Sequence, residues 1–152
     1  MFHGTDFAIE LPKDFRDEST YAFAFRARSG FSPSVVVKTE RLAQPAELSV
    51  YVEQQLAKIE QLLPAVTIVN NSRDPHGELV ARTSVYDWGE PQRRLRQKQR
   101  YIRLTDPDRV VTLTATCLLA TFAETEALFD AVFSSFRPTP HPTSDDGNAV
   151  GP

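Results

Sequence analysis

The chain has 152 residues, 41% of them hydrophobic and 24% charged, with a formal net charge of −3 at pH 7. This is the make-up of an ordinary globular domain able to bury a substantial core, and its acidic balance speaks against a dedicated nucleic-acid binder. One cysteine leaves no intramolecular disulfide, and no run approaches the ~20 apolar residues needed to cross a bilayer.

The N-terminus, MFHGTDFAIELPKDF, has no basic start, apolar stretch or cleavage site. No signal peptide is read, and a cytoplasmic location is expected. FAIEL (7–11) and YAFAFRA (21–27) are strand-like, the second through its alternation of Tyr21, Phe23 and Phe25 with small residues. The turn SGFSP (29–33) leads into a strand, SVVVKTER (34–41). A helix is predicted from Pro45 to Leu63, because Leu48, Val52, Leu56, Ile59 and Leu63 form an apolar stripe at helical spacing. Gln55 lies inside that stripe.

Four more strand-like segments follow: TIVNNSR (67–73), LVARTSVYDW (79–88), RRLRQKQRYIRL (93–104) and VVTLTATCLLA (110–120). Turns at DPHGE (74–78) and TDPDR (105–109) separate them, and short connections of this kind favour antiparallel pairing. A second helix is expected from Thr121, with Glu124 three residues on as a capping box and Pro138 as the stop. The expectation is an α+β fold, an antiparallel sheet with the helices packed on one face. Residues 1–138 form one domain, and the proline- and polar-rich 139–152 read as a disordered tail.

No catalytic constellation emerges. His3, His76 and His141 are scattered, Cys117 sits alone in an apolar run, and the six glycines form no phosphate loop. The expectation is a protein that is not an enzyme and carries no metal or cofactor.

RRLRQKQRYIRL places six basic side chains between Arg93 and Arg103. Strand alternation puts Arg94, Arg96, Lys98 and Arg100 on one face and Leu95, Gln97, Gln99 and Tyr101 on the other. With one aromatic on the strand, support for base stacking is thin, and a basic face that is solvated or paired with acids is expected. A glutamine carries donors and an acceptor, so on an otherwise apolar face it can either satisfy internal groups or bind a partner's exposed peptide group.

FAIELPKDFRDES, the SVVV strand, LSVYVEQQLAKIEQLLP, RLRQKQRYI followed by VVTLTATC, and a closing helix with SSFRP occur in that order. Over residues 5–138 the chain resembles the bacterial family containing DcrB and the Eag chaperones of type VI secretion, whose fold is like those of PsbP and the Ran-binding Mog proteins. DcrB-like members are exported lipoproteins, so without a lipidated cysteine this chain looks more like the cytoplasmic Eag branch. Those chaperones bind the N-terminal transmembrane helices of a secreted effector, spike-tip or Rhs-type, and hold them soluble until loading onto the secretion spike.

The resemblance implies that Gln55 and Gln97 hydrogen-bond a client helix and that Leu63, Thr20, Ala22 and Val36 line an apolar cavity. It also implies a homodimer that does not itself insert into the membrane. Thr20 and Ala22 are small for that role, and a one-residue register change would put Tyr21 and Phe23 there instead. Two competing functions are a soluble adaptor that binds a folded partner, as in the Mog-like branch, and a nucleic-acid binder that uses the basic strand.

Overall fold

The computed structural model describes residues 2–3, 6, 8–10, 12, 19–26, 30–105 and 108–139. A small hairpin pairs β1 (Phe2–His3) with β2 (Ala8–Ile9). The main sheet contains β3 (Thr20–Ala24), β4 (Ser34–Arg41), β5 (Thr67–Arg73), β6 (Ala81–Trp88), β7 (Leu95–Leu104) and β8 (Arg109–Leu118). Its spatial order is β3-β4-β8-β7-β6-β5, and every neighbouring pair is antiparallel. The expected α+β class is therefore borne out. From residue 140 onward the expected tail lies outside the described residues.

Helix α1 (Leu48–Leu62) carries the chain from β4 to β5, and α2 (Phe122–Ser134) follows β8. The two helices divide between the faces of the sheet rather than sharing one. Leu48, Tyr51, Val52 and Leu56 of α1 pack with Tyr86, Tyr101 and Val110. Phe129 and Phe133 of α2 pack with Ala81, Ile102, Val111, Leu113, Ala115 and Cys117. Tyr101 and Ile102, or Val110 and Val111, are consecutive residues and so point to opposite sides of a strand. Each side therefore has its own core, and the central strands are buried twice.

The second helix starts at Phe122, one residue after the expected Thr121, and its capping box does not form. Thr121 ends a 3-10 turn (Leu119–Thr121), makes no side-chain cap bond, and donates its hydroxyl to the Leu118 carbonyl at 3.3 Å. The DPHGE turn is tied to the end of α2: His76 Nε2 lies 2.9 Å from the Phe136 carbonyl, and the two rings meet edge to face. Gly77 adopts φ +60°, a left-handed conformation that glycine enters without a side-chain clash.

Candidate functional site

The alternation of β7 separates two chemistries. Beneath α2, Arg96 grips Asp87 through two bonds of 2.6 and 2.8 Å. Lys98 reaches Asp130 at 2.7 Å and Glu126 at 3.3 Å, both on α2. Arg100 binds Asp74 at 2.7 Å, and Thr83 donates to the same carboxylate. The Thr83 bond and the Arg100 charge hold the Asp74 carboxyl below the usual carboxylate range. Arg96 and Arg100 also lie over the rings of Phe122 and Phe133. Arg96, Lys98 and Arg100 of the basic strip are thus taken up in ion pairs on the α2 side, while Arg94 donates to the Gly89 and Ala65 carbonyls. A cleft of about 500 Å³ opens beside it, and Arg96, Lys98, Asp74 and Glu126 in its walls are all paired.

On the α1 side, cross-strand pairing arranges side chains in rows. Gln97 lies opposite Thr116, which faces Ser34, which faces Ala24. The next row runs Gln99, Thr114, Val36, Ala22. The third runs Tyr101, Thr112, Lys38, Thr20. α1 covers only the β6–β7 end of these rows. Thr20, Ala22 and Ala24 are exposed, whereas Val36, Ser34, Thr112, Thr114, Thr116 and Gln97 are half-buried. The result is an open face floored by small and hydroxyl-bearing side chains, walled on one side by α1.

Four of the six anticipated residues, Gln97, Val36, Ala22 and Thr20, share this face. The register also fixes the two sides of β3: Tyr21 pairs with Val37 and Phe23 with Val35, so both rings lie on the α2 side and stand 56% and 59% exposed. Gln55 is half-buried on α1 beside the buried Val52 and Leu56, and its side chain makes no hydrogen bond to a described residue. Leu63 caps the C-terminal end of α1 and packs on the core beneath that helix.

The glutamines of β7 differ in how fully they are used. Gln97 Nε2 donates to Thr116 Oγ1 at 2.9 Å. Gln99 Nε2 donates to Thr114 Oγ1 at 3.1 Å, and its oxygen also accepts from the Tyr101 hydroxyl. Burial pushes the Tyr101 pKa up to about 12, so that hydroxyl stays a donor. Tyr51 is held higher still, by burial and by its 2.6 Å bond to Glu40. Thr112, Thr114 and Thr116 were not singled out from the sequence. Their signal was the period-two threonine pattern of VVTLTATC. Among the described residues, no group of three or more His, Cys, Asp or Glu is placed to hold a metal ion, and no helix is long and apolar enough to cross a membrane.

An antiparallel six-stranded sheet with a helix on each face is the PsbP- and Mog-like architecture. Solved structures agree. PA94 of Pseudomonas aeruginosa, a protein of unknown function, superposes with a TM-score of 0.76 at 23% identity, covering 92% of this chain and 96% of that one. The cyanobacterial PsbP of Synechocystis gives 0.51 at 13% identity, covering 79% and 82%. The Ran-binding protein Mog1p of Saccharomyces cerevisiae gives 0.52 at 12% identity, covering 77% and 70%. No curated protein matches the sequence. The DcrB family model matches residues 7–135, and the chain belongs to the DcrB family.

Proposed function

We propose that this DcrB-family protein is a non-enzymatic, cytoplasmic chaperone that shelters the N-terminal transmembrane helices of a type VI secretion effector and aids their loading onto the spike. It works as a homodimer, needs no cofactor, binds no nucleic acid and does not itself enter the membrane. The observation that carries the reading is the open α1-side face. It presents Gln97, Val36, Ala22 and Thr20 together, while Gln55 on the neighbouring helix is half-buried with its amide unused.

The physics is direct. A membrane helix in water exposes apolar surface at a cost of about 25 cal/mol per Å². A face of small residues lets such a helix approach closely, as small residues do between helices in a bilayer. Glutamine amides then supply the orientation that apolar contact lacks. Co-purification from the native cell with mass spectrometry tests this: a protein with N-terminal apolar helices and a spike-tip domain should be recovered. A strict monomer by light scattering at micromolar concentration, with and without client, would remove the dimer.

The second reading, an adaptor for a folded partner, is favoured by the exposed Tyr21 and Phe23 on the edge strand β3. Recovery of a folded partner lacking apolar helices, lost on replacing these two rings, would select it.

A further inference from the structure

The two glutamine–threonine rungs of the open face look alike in sequence and differ in what they leave free. In the Gln99 rung the amide nitrogen is bound to Thr114 and the amide oxygen to the Tyr101 hydroxyl. The rung is closed at both ends of the amide. In the Gln97 rung only the bond to Thr116 is made, leaving one N–H and the amide oxygen of Gln97 without a partner among the described residues. The Thr116 hydroxyl, having accepted from Gln97, still has its own hydrogen to donate. Beyond Thr116 the row continues through Ser34 to Ala24, two small residues that raise no barrier in front of it.

We propose that Thr116 is a positioning residue for client recognition: it tethers the Gln97 amide in one orientation along the cross-strand row, so that Gln97 and the Thr116 hydroxyl meet the client as one preset polar element. This rests on the helix-sheltering reading of the face and adds the device by which that face discriminates. A free glutamine side chain must be immobilised on binding, whereas a tethered one has already lost that freedom. The tether is cross-strand and lies on β8, whose reverse side is anchored by the buried Ala115 and Cys117. Thr116 therefore cannot drift away from Gln97 without disturbing the α2-side core. The Gln99 rung keeps a donor hydrogen but its amide oxygen is already taken by Tyr101, so it has no free amide acceptor to offer and serves the fold.

The test uses the full chain and two synthetic probes, each a twenty-residue leucine-rich helix flanked by lysines and delivered from detergent. One carries a Gly/Ser stripe at four-residue spacing, and the other is apolar throughout. Thr116→Val preserves the branched shape and removes the tether. It should weaken binding of the striped probe by about 3- to 10-fold, as expected for one lost hydrogen bond or one newly immobilised side chain. Binding of the apolar probe should stay unchanged. Thr116→Ser should restore the preference, Thr114→Val should leave it intact, and Gln97→Ala combined with Thr116→Val should lose no more than Gln97→Ala alone. In the free protein, NMR should show the Gln97 side-chain amide gaining mobility in Thr116→Val.

A merely structural role predicts the reverse, with a lower melting temperature and both probes affected equally, and that result overturns the proposal. So does an unchanged preference in Thr116→Val where Gln97→Ala abolishes it. If wild-type protein binds neither probe, the helix-sheltering reading itself falls, and the inference with it.

Discussion

On β8, Val111, Leu113, Ala115 and Cys117 are sealed beneath α2, whereas Thr112, Thr114 and Thr116, one residue away from them, remain half exposed on the other side. The α2 face is closed over the central strands: its apolar groups there are packed, and Arg96, Lys98 and Arg100 are matched to Asp87 on β6, to Glu126 and Asp130 on α2 and to Asp74 just after β5, leaving Tyr21 and Phe23 exposed on β3. The α1 face is finished only at the β6–β7 end, where Tyr86 and Tyr101 meet the helix. Towards β4 and β3 no helix among the described residues covers it. Stability thus comes from both helices, while the uncovered surface lies towards the β3 edge, with small and hydroxyl-bearing side chains on the α1 side and the Tyr21 and Phe23 rings on the other.

The sharpest break of this contrast is in the core. Phe129→Ala, fully buried under α2, should cost about 3–5 kcal/mol by urea unfolding. Ala22→Ser on the open face should change stability by less than about 0.5 kcal/mol. Next comes the difference between the rungs. Gln99→Ala strands the buried Tyr101 hydroxyl and should cost about 1–3 kcal/mol, while Gln97→Ala and Gln55→Ala should leave thermal melts nearly unmoved. The same two variants should weaken client capture by about 0.5–1.5 kcal/mol, measured by co-purification or titration.

Lys98→Met removes a nearly buried ammonium from two half-exposed carboxylates. It should cost about 1 kcal/mol or less, because water rescues Glu126 and Asp130, and client binding should not change. Loss of client binding in Lys98→Met, with Gln97→Ala harmless, would assign function to the wrong face.

One further effect is invisible at neutral pH. Tyr101 has a native pKa raised to about 12, and Tyr51 and Tyr86 are raised further, all chiefly by burial. A phenol whose native pKa exceeds its unfolded value of about 10 contributes stability that is complete below pH ~10 and is lost as pH rises towards the native value. Unfolding free energy should therefore fall steeply between about pH 10 and 12, and Tyr101→Phe should make that slope shallower.

Most elements were legible because their residues repeat at one clear period. SVVVKTER and TIVNNSR occupy the expected strands, β4 and β5, and the α1 stripe is buried at Leu48, Val52 and Leu56. The side on which each helix lies was not legible from its own stripe, since an apolar stripe demands burial without saying against which face. The information sat in the strands: Tyr101–Ile102 and Val110–Val111 are adjacent apolar pairs, the mark of strands covered twice. The resemblance named Gln97, Val36, Ala22 and Thr20, but the alternation of 20–27 left the facing side of that strand open, and it took the cross-strand register to put the four on one face. The difference between the two glutamines depends on which of them Tyr101 reaches, and strand spacing carries no record of that. Thr121 and Glu124 have the spacing of a capping box, but a 3-10 turn arrives first and alters the backbone of Thr121.

The exit of α1 is fastened from the sheet. Arg94 donates to the carbonyls of Gly89 at 3.2 Å and Ala65 at 3.0 Å, and the Gly89 N–H bonds the Pro64 carbonyl at 2.9 Å. Ala65 sits at φ +50°, a conformation an alanine adopts only when its surroundings insist. This triple fastening makes the distance between α1 and the rows beside it a gauge set by the fold itself. Under the proposed helix-sheltering function, a guest too thick for the gauge would be turned away sterically, before any polar contact forms. Loosening the gauge, as with Arg94→Ala, should broaden the range of guests accepted more than it lowers affinity for the right one.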